Sequence, residues 1–323
     1  MKHTQPDYYS IFCCLGKDCP LTCCAGWTIS IDEDSLAFYD TLPGAAGREV
    51  RNAVDWEEAC FLTNDGRCRL LTEEGLCSLQ IAAGEEALCD TCRLYPRHTE
   101  EFKGCREHSL NLSCPAAAML ILFDKKEVPA LIEMTDDEDE EIEFDEFDET
   151  VFQNLLSLRE EIFRVMEMGK WHPLTMGKQE FEPEALRAFF ENALPVLEAL
   201  DVIDPGWTSC RSGMVHSLRE LFGEEDASKI ISEYQKEWGA ASLRRLYAYF
   251  IYVYLAGAVY DDDMDGKLFF ASFCTKWVLL LWLAERHAKK VPLSREKMAV
   301  LASRLAREVE HEDDNFCRIE NES

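Results

Sequence analysis

The most constraining feature of this sequence is the crowding of cysteine into its first third. Twelve of the 15 cysteines lie between Cys13 and Cys114, and the rest of the chain holds only Cys210, Cys274 and Cys317. Thiols gathered at this density usually form disulfides or bind metal ions. The choice between these two chemistries decides what the first hundred residues can fold into.

Several observations favour metal binding over disulfides. Residues 1–10 (MKHTQPDYYS) are polar and no apolar run of signal-peptide length follows them, so we expect a cytoplasmic protein, and disulfides are rare in the reducing cytoplasm. Cys13 and Cys14 are adjacent, as are Cys23 and Cys24. Neighbouring Cα atoms about 3.8 Å apart are too close for a relaxed disulfide. With 323 residues and 47% hydrophobic content, the chain also needs no disulfides to build a core.

Charge and hydropathy argue against two classes of partner. The net charge of −29 argues against nucleic acid, since binding a phosphate backbone requires a basic surface. The two most apolar stretches, 246–260 and 268–284, are shorter than the roughly 20 apolar residues that cross a membrane, and Lys276 interrupts the second. We therefore predict two core helices and no membrane contact.

The chain divides into three predicted regions. Residues 1–130 combine the clustered cysteines with frequent turn signals, which indicates a partly irregular, metal-binding domain. Residues 136–149 carry 11 carboxylates, and we assign residues 131–150 to a solvated acidic linker. Residues 151–323 show apolar side chains at three- and four-residue spacing, which predicts an α-helical domain. The expected fold is mainly α, with a cysteine-rich N-terminal metal-binding region.

Local signals place several helix boundaries. Asp32 or Asp34 would cap a helix that runs through Tyr39, because carboxylates accept hydrogen bonds from the free N–H groups of a first turn. Pro183 is expected to open a second helix and Ser294 to cap the last one predicted. A further helix is predicted over residues 151–168.

The cysteines fall into three short-spaced runs. Gaps of two to four residues let sulfurs of one loop converge on one metal at about 2.3 Å. The runs are Cys14-x4-Cys19-x3-Cys23-Cys24, then Cys60 with Gly-Arg-Cys68 and Gly-Leu-Cys77, then Cys89-x2-Cys92 followed by Ser113-Cys114-Pro115. An all-thiolate set suits either zinc or an iron–sulfur cluster, and the residues alone leave both open.

The same runs resemble the flagellin lysine-N-methylase (FliB-like) family. The patterns are FxCxxxxCxxxCCxGWxIxID over residues 12–32, CFL…GxC…GxC…CxxYPR over residues 60–97, and GxxExSLxLSCPxAA over residues 104–118. The inner part also resembles zinc- or iron-chelating domains. The nine cysteines of these patterns are the candidate metal ligands: Cys14, Cys19, Cys23, Cys24, Cys60, Cys68, Cys77, Cys92 and Cys114.

The resemblance implies a lysine methylase. Its members would methylate lysine ε-amines of flagellin with S-adenosylmethionine, in the bacterial cytoplasm before export, and carry an iron–sulfur cluster, here expected to be of the 4Fe–4S type unless the metal is zinc. The sequence lacks a GxGxxG turn, so S-adenosylmethionine would be held in another way than in a dinucleotide-type fold.

Four residues are candidates for the chemistry itself. Arg93 or Arg97 can pair with the carboxylate of S-adenosylmethionine in a bidentate geometry. Methyl transfer needs a neutral lysine, and Tyr95 or Glu107 can accept the proton. For each of these residues an ordinary packing or surface role is the alternative. For the whole protein, the alternative is a binding module whose metal, zinc or iron, staples the N-terminal region without catalysis.

Overall fold

Helices dominate the structure, a computed structural model that describes residues 1–124, 126, 128–136, 147–172 and 177–322. The prediction of a mainly α fold is confirmed. The α-helices are α1 Glu33–Thr41, α2 Gly44–Ala53, α3 Ser78–Ala83, α4 Asp90–Leu94, α5 Pro115–Phe123, α6 Glu149–Glu167, α7 Pro183–Ala199, α8 Pro205–Gly223, α9 Ala227–Trp238, α10 Ala241–Tyr254, α11 Ala258–Asp261, α12 Met264–Lys289, α13 Arg295–Glu310 and α14 Asp313–Glu320. The strands are β1 Lys2–Pro6, β2 Val54–Asp55, β3 Cys60–Phe61, β4 Thr63–Asn64, β5 Arg67–Cys68, β6 Arg97–Phe102, β7 Cys105–Leu110 and β8 Leu131–Thr135.

Helix starts follow the local signals in the sequence. Asp32 caps α1 by accepting a hydrogen bond from the Ser35 N–H at 2.9 Å. Pro183 is the first residue of α7, and Ser294 caps α13 by accepting from the Lys297 N–H at 3.2 Å. Each cap satisfies a backbone donor that has no partner within the helix. The predicted boundaries at these three positions are confirmed.

A four-stranded sheet joins the N-terminus to the segment before the acidic run. Its strand order is β6-β7-β1-β8, with β1 parallel to β7 and antiparallel to β8. Strand β8 covers residues 131–135, which the sequence analysis assigned to the acidic linker. Residues 137–146 of that linker lie outside the described residues, and the predicted domain boundaries stay a prediction.

Six of the fifteen cysteines belong to a small unit with its own apolar core, residues 24–92, which we call the cysteine lobe. Helices α1–α4 and the two-stranded sheets β2–β3 and β4–β5 form it. Its core contains Tyr39, Val50, Phe61 and Leu79, each at most 4% exposed. Because these helices and strands are short, side chains across several loops must meet to fill that core.

The larger core is built around α12. This helix packs on α8, α10, α13 and α14 and carries fully buried side chains such as Trp277 and Trp282. Within the part of the chain that the structure describes, α12 is long and apolar enough to cross a membrane by length and composition, yet 78% of its most apolar window is buried inside the protein. It is a core helix, as predicted for residues 268–284.

Helix α13 brings the C-terminal half of the chain into contact with the cysteine-rich region. Its apolar side, with Met298, Leu301, Leu305 and Val309, is buried in the larger core. The helix packs against α5, which begins directly after Cys114. The last turn of α13 therefore lies where the cysteine-rich loop, the start of α5 and the helical core meet.

Candidate functional site

Three thiols of the N-terminal loop lie near the thiol that precedes α5. Burial raises the pKa of Cys114 to about 11, and Cys19 and Cys14 add to that rise. The pKa of Cys23 is raised by its hydrogen bond with Cys24, by burial, and by Cys14 and Cys114. These thiols are therefore within electrostatic range of one another. We call Cys14, Cys19, Cys23 and Cys114 the first thiol group.

The remaining clustered thiols lie in the cysteine lobe. We call Cys24, Cys68, Cys77, Cys89 and Cys92 the second thiol group. Burial raises the pKa of Cys68 to about 11, with added contributions from Cys24, Cys77 and Cys89. A hydrogen bond between Cys89 and Cys92 lowers the pKa of the first and raises that of the second. The second thiol group is part of the lobe's own core.

The adjacent pair Cys23 and Cys24 connects the two thiol groups. The hydrogen bond between them lowers the pKa of Cys24 to about 7, burial opposes this, and Thr22 and Arg67 reinforce it. Cys24 and Cys89 are thus the thiols of the second group whose pKa values are lowered. A thiolate at either position would be a ready donor to a metal ion.

Two cysteines differ from the ligand set predicted from the sequence. Cys60 is set apart, because the groups that raise its pKa after burial are Asp55 and Glu58, and no thiol of the described residues contributes. Cys89 was left out of the predicted ligand set, yet it is fully buried among the second thiol group. The short spacing Cys89-x2-Cys92 was the signal that could have included it.

The thiols of the two groups are suitable metal ligands, but within the described residues they are not arranged around one metal position. All fifteen cysteines are free thiols. Most of those in the two groups have raised pKa values, for Cys23 first through its hydrogen bond with Cys24 and for Cys68, Cys77 and Cys114 through burial. A bound cation reverses that effect and holds thiols as thiolates. In the described ranges, no three His, Cys, Asp or Glu side chains are arranged to hold a metal ion. The donor set fits zinc or an iron–sulfur cluster, and metal binding stays a prediction.

Arg307 of α13 fixes the backbone of the cysteine-rich loop. Its guanidinium donates to the carbonyl oxygens of Leu21 at 2.8 Å, Thr22 at 3.1 Å and Ala25 at 3.2 Å. The side chain is only 1% exposed, so these hydrogen bonds form in a poorly hydrated environment where each is strengthened. The loop that carries Cys19, Cys23 and Cys24 therefore takes its shape from a residue of the C-terminal helix.

Three rings form a wall next to the first thiol group. The centroids of Trp27 and His311 are 4.5 Å apart, those of Trp27 and Tyr95 5.3 Å, and those of Tyr95 and His311 6.2 Å. Burial raises the pKa of Tyr95, and Cys114 and Cys23 add to it. This electrostatic contact places the wall at the edge of the first thiol group. We call these three residues the aromatic wall.

Ser113 links two members of the aromatic wall. Its Oγ lies 3.0 Å from the Tyr95 hydroxyl and 2.7 Å from His311 Nε2. Burial and the positive charge of Arg307 lower the pKa of His311 to about 4, so its imidazole is neutral at physiological pH. Tyr95 keeps its own proton, because its pKa is raised. The result is a hydrogen-bonded chain of neutral groups directly before Cys114.

The two candidate arginines lie in different surroundings. Arg93 on α4 pairs with the carboxylate of Asp90 in the same helix. Arg97 begins β6, and its guanidinium lies 5.2 Å from the ring of Phe12 and 6.0 Å from that of Tyr9. Among the described residues no carboxylate pairs with Arg97. Its position next to Phe12, close in sequence to Cys14, makes Arg97 the better placed of the two.

Glu107 is buried away from the thiol groups. Arg159 holds both carboxylate oxygens, at 2.5 and 2.6 Å, and the side chains of the two residues are 5% and 6% exposed. The guanidinium also lies 5.0 Å from the ring of Tyr252. The structure thus brings Tyr95 to the first thiol group but places Glu107 in an ion pair under the sheet. Its role as a proton acceptor stays a prediction.

Comparison with known proteins gives relatives over part of the chain. The flagellar biosynthetic protein FliU of Salmonella muenchen is 32% identical over 130 residues, which cover 38% of this chain and 77% of that protein. The lysine-N-methylases of Salmonella choleraesuis strain SC-B67 and Salmonella typhimurium strain LT2 are 32% and 31% identical over 130 residues. In both, the match spans only 32% of their length.

Other comparisons give no match. No protein-family model matches the chain, and no solved structure matches it.

Proposed function

Since the chain belongs to the flagellin lysine-N-methylase family, we propose that it is a protein-lysine N-methyltransferase that transfers a methyl group from S-adenosylmethionine to flagellin in the bacterial cytoplasm. The substrate and the reaction are drawn from the names of relatives that share part of this chain. The support from the structure is a single arrangement, the first thiol group beside the aromatic wall.

The first thiol group beside the aromatic wall has features suited to binding the methyl donor. The methyl donor is a sulfonium cation, and aromatic rings attract cations through their faces. Arg307 lies 4.4 Å from the Trp27 ring, which fixes the wall in position. Arg97, which has no carboxylate partner among the described residues, is available to pair with the donor's carboxylate.

We propose that the first thiol group holds an iron–sulfur cluster. Cys14, Cys19, Cys23 and Cys114 are the candidate thiolates, and three of them would hold a 4Fe–4S cluster with one iron left open. When bound in this way, the cluster would supply an iron that can anchor the amino and carboxylate groups of S-adenosylmethionine. The pKa values of Cys19, Cys23 and Cys114 are raised, and a bound cation would remove the cost of ionising these three thiols. Zinc in the same group is the alternative.

The second thiol group supports a structural role for a further metal. Cys68 and Cys89 are buried in the core of the cysteine lobe, where a metal such as zinc would join its short helices and strands. If only this stapling operates, the protein is a binding module without catalysis. This second candidate function follows from the location of these thiols in the core.

The methyl transfer itself balances without a redox step. The lysine ε-amine, as the neutral base, forms a bond to the methyl carbon while the bond from that carbon to the sulfonium sulfur breaks. The products are S-adenosylhomocysteine and a protonated N-methyllysine. Tyr95 and His311 position Ser113 through their hydrogen bonds.

Anaerobic assays test the proposal. The purified protein is analysed for iron, zinc and acid-labile sulfide, then incubated with methyl-labelled S-adenosylmethionine and flagellin, and methyl-lysine is measured by mass spectrometry. Iron and sulfide in stoichiometric amounts with methyl transfer support the methylase. A colourless zinc protein that stays folded, loses its fold on chelation and transfers no methyl group would instead establish the binding module.

A further inference from the structure

Glu310, at the end of α13, has hydrogen-bond partners on one carboxylate oxygen and none among the described residues on the other. Its Oε1 accepts hydrogen bonds from the hydroxyls of Tyr249 at 2.8 Å and Tyr254 at 2.9 Å. Its Oε2 is buried and has no hydrogen-bond partner among the described residues. A buried carboxylate oxygen without a partner is costly, so this arrangement needs an explanation.

No cation of the described residues balances this carboxylate directly. Burial raises the pKa of Glu310 to about 7, the two tyrosines lower it, and the ionisable cation that acts on it is His98. The nearby Lys267 is committed to Asp261 at 2.6 Å and Glu320 at 2.8 Å. Among the described residues, the buried carboxylate of Glu310 thus has no cation in direct contact to balance its charge.

Tyr254, which donates to the carboxylate of Glu310, packs against aromatic rings of α12 and α14. The rings of Tyr254, Phe270 and Phe316 lie with centroids 4.4 to 5.0 Å apart. Faces and edges of such rings favour an alkylammonium group and its methylene stem. Glu310 and Phe316 are partly exposed and His98 is exposed, so this end of α13 lies close to the protein surface.

We propose that Glu310, together with Tyr254 and the rings packed against that tyrosine, binds a primary alkylammonium ion, the side chain of the lysine that is to be methylated. The inference rests on the proposed function, because it assigns the substrate side of the same site. Glu310 directly precedes His311 of the aromatic wall, so the proposal places the lysine at the last turn of α13. The free Oε2 is the atom that receives the ammonium.

The same oxygen can take the proton that methyl transfer requires. A proton moves from the lysine ammonium to Glu310 Oε2, which leaves a lone pair on nitrogen. That nitrogen then forms the bond to the methyl carbon as the carbon–sulfur bond breaks. A carboxyl group with a pKa near the working pH suits this exchange. Its pKa is set by burial and by Tyr249, Tyr254 and His98, with Cys274 and Glu100 the other titratable groups near these tyrosines.

Kinetics of the full-length protein test the inference. We expect Glu310→Gln to lower kcat for flagellin methylation by at least about 100-fold and to remove the limb of the pH profile that rises through about pH 7. Glu312→Gln makes the same charge change two residues away and should keep wild-type rates. Equal rates for Glu310→Gln and wild type, at equal metal content and folded fraction, would overturn the proposal.

A binding measurement separates this inference from the proposed function. We expect n-butylammonium chloride to raise the Tm of the wild-type protein relative to sodium chloride at equal ionic strength, and to leave Glu310→Gln unshifted. Tetramethylammonium, which cannot give up a proton or donate a hydrogen bond, serves as the second probe and should act more weakly. If both proteins respond equally to butylammonium, Glu310 is not the ammonium site, whether or not the wild type methylates flagellin.

Discussion

The guanidinium carbon of Arg307 lies 4.4 Å from the centre of the Trp27 ring. Trp27 follows the double cysteine of the N-terminal loop, whereas Arg307 belongs to α13 near the C-terminus. The same guanidinium donates to the carbonyls of Leu21, Thr22 and Ala25. The cysteine-rich loop and the helical core therefore form one site, in which neither part has its observed geometry alone.

Arg307→Lys should destabilise the protein and loosen the loop. Lysine cannot reproduce the planar fork that donates to several carbonyls while it stacks on an indole. We expect the free energy of unfolding to fall by about 3 kcal/mol, since hydrogen bonds from charged groups contribute about 1.5–3 kcal/mol each. Urea unfolding measures the loss. Arg304→Lys on the same helix, whose ion pair with Asp204 at 3.5 Å is partly exposed, should cost less than about 1 kcal/mol.

Cysteine substitutions should distinguish thiols that bind the metal, in the two thiol groups, from Cys60, which we expect not to bind it. Cys23→Ser removes a donor of the first thiol group, so we expect bound iron or zinc per chain to fall clearly. Cys60→Ser should keep the wild-type metal content, because no other described thiol acts on Cys60. Elemental analysis of anaerobically purified variants measures both. Loss of metal in Cys60→Ser alone would reverse this assignment and restore the ligand set read from spacing.

The sequence predicts those parts of the fold that depend on local interactions. Caps such as Asp32 and Ser294 act within one turn of their helix, and apolar periodicity marks the buried side of a helix. Helix α8 escaped prediction because Gly206, Gly213 and its serines weaken the helical pattern. Its stability comes from Trp207 and other side chains buried in the larger core.

Long-range pairings explain what the sequence could not predict. Strand β8 forms because residues 131–135 pair with β1 at the N-terminus, and its own side chains are mostly exposed, so its pattern carries little signal. The cysteine spacing predicted a thiol-rich site, but not that Arg307 and His311 complete it. Nothing in the pattern around these two residues distinguishes them from other polar positions of a terminal helix.

Glu107→Gln should affect stability far more than catalysis. The substitution leaves Arg159 as a buried charge with a neutral partner, and breaking a buried pair costs about 3–5 kcal/mol. We expect lower stability in urea but an unchanged kcat per folded molecule. If Glu107 accepts the substrate proton, as the sequence suggested, kcat would instead fall by a factor on the order of 100 or more. Rates normalised to the folded fraction decide between these outcomes.

Ionisation of the buried Glu308 carboxyl group should make the protein less stable as pH rises. Burial raises its pKa in the folded state from 4.5 to about 7, so the folded protein binds this proton more tightly than the unfolded chain. The resulting stabilisation is complete below about pH 4.5 and is lost as pH rises through about 7. With about 1.4 kcal/mol for each pKa unit, the loss reaches roughly 3 kcal/mol.

Glu308→Gln isolates that contribution. Its two oxygens accept from the Ile203 and Asp204 N–H groups, so the variant loses stability at every pH. Its free energy of unfolding should nevertheless change less between pH 5 and pH 8 than that of the wild type. Urea unfolding at pH 5 and at pH 8 gives the change in the free energy of unfolding for the variant and for the wild type. Equal differences would mean that Glu308 does not titrate in this range.

Ser113→Ala should break the link within the aromatic wall. The Tyr95 hydroxyl and His311 Nε2 both lose their partner on Ser113, and a buried polar group left unpaired costs about 1–3 kcal/mol. We expect lower stability and slower methyl transfer at unchanged metal content, because the rings lose their fixed orientation while the thiols remain. Ser109→Ala is the matched control, since Ser109 is buried and its Oγ has no partner among the described residues, and it should behave as wild type in all three measurements. A Ser113→Ala protein with normal turnover would show that the wall serves packing rather than the reaction.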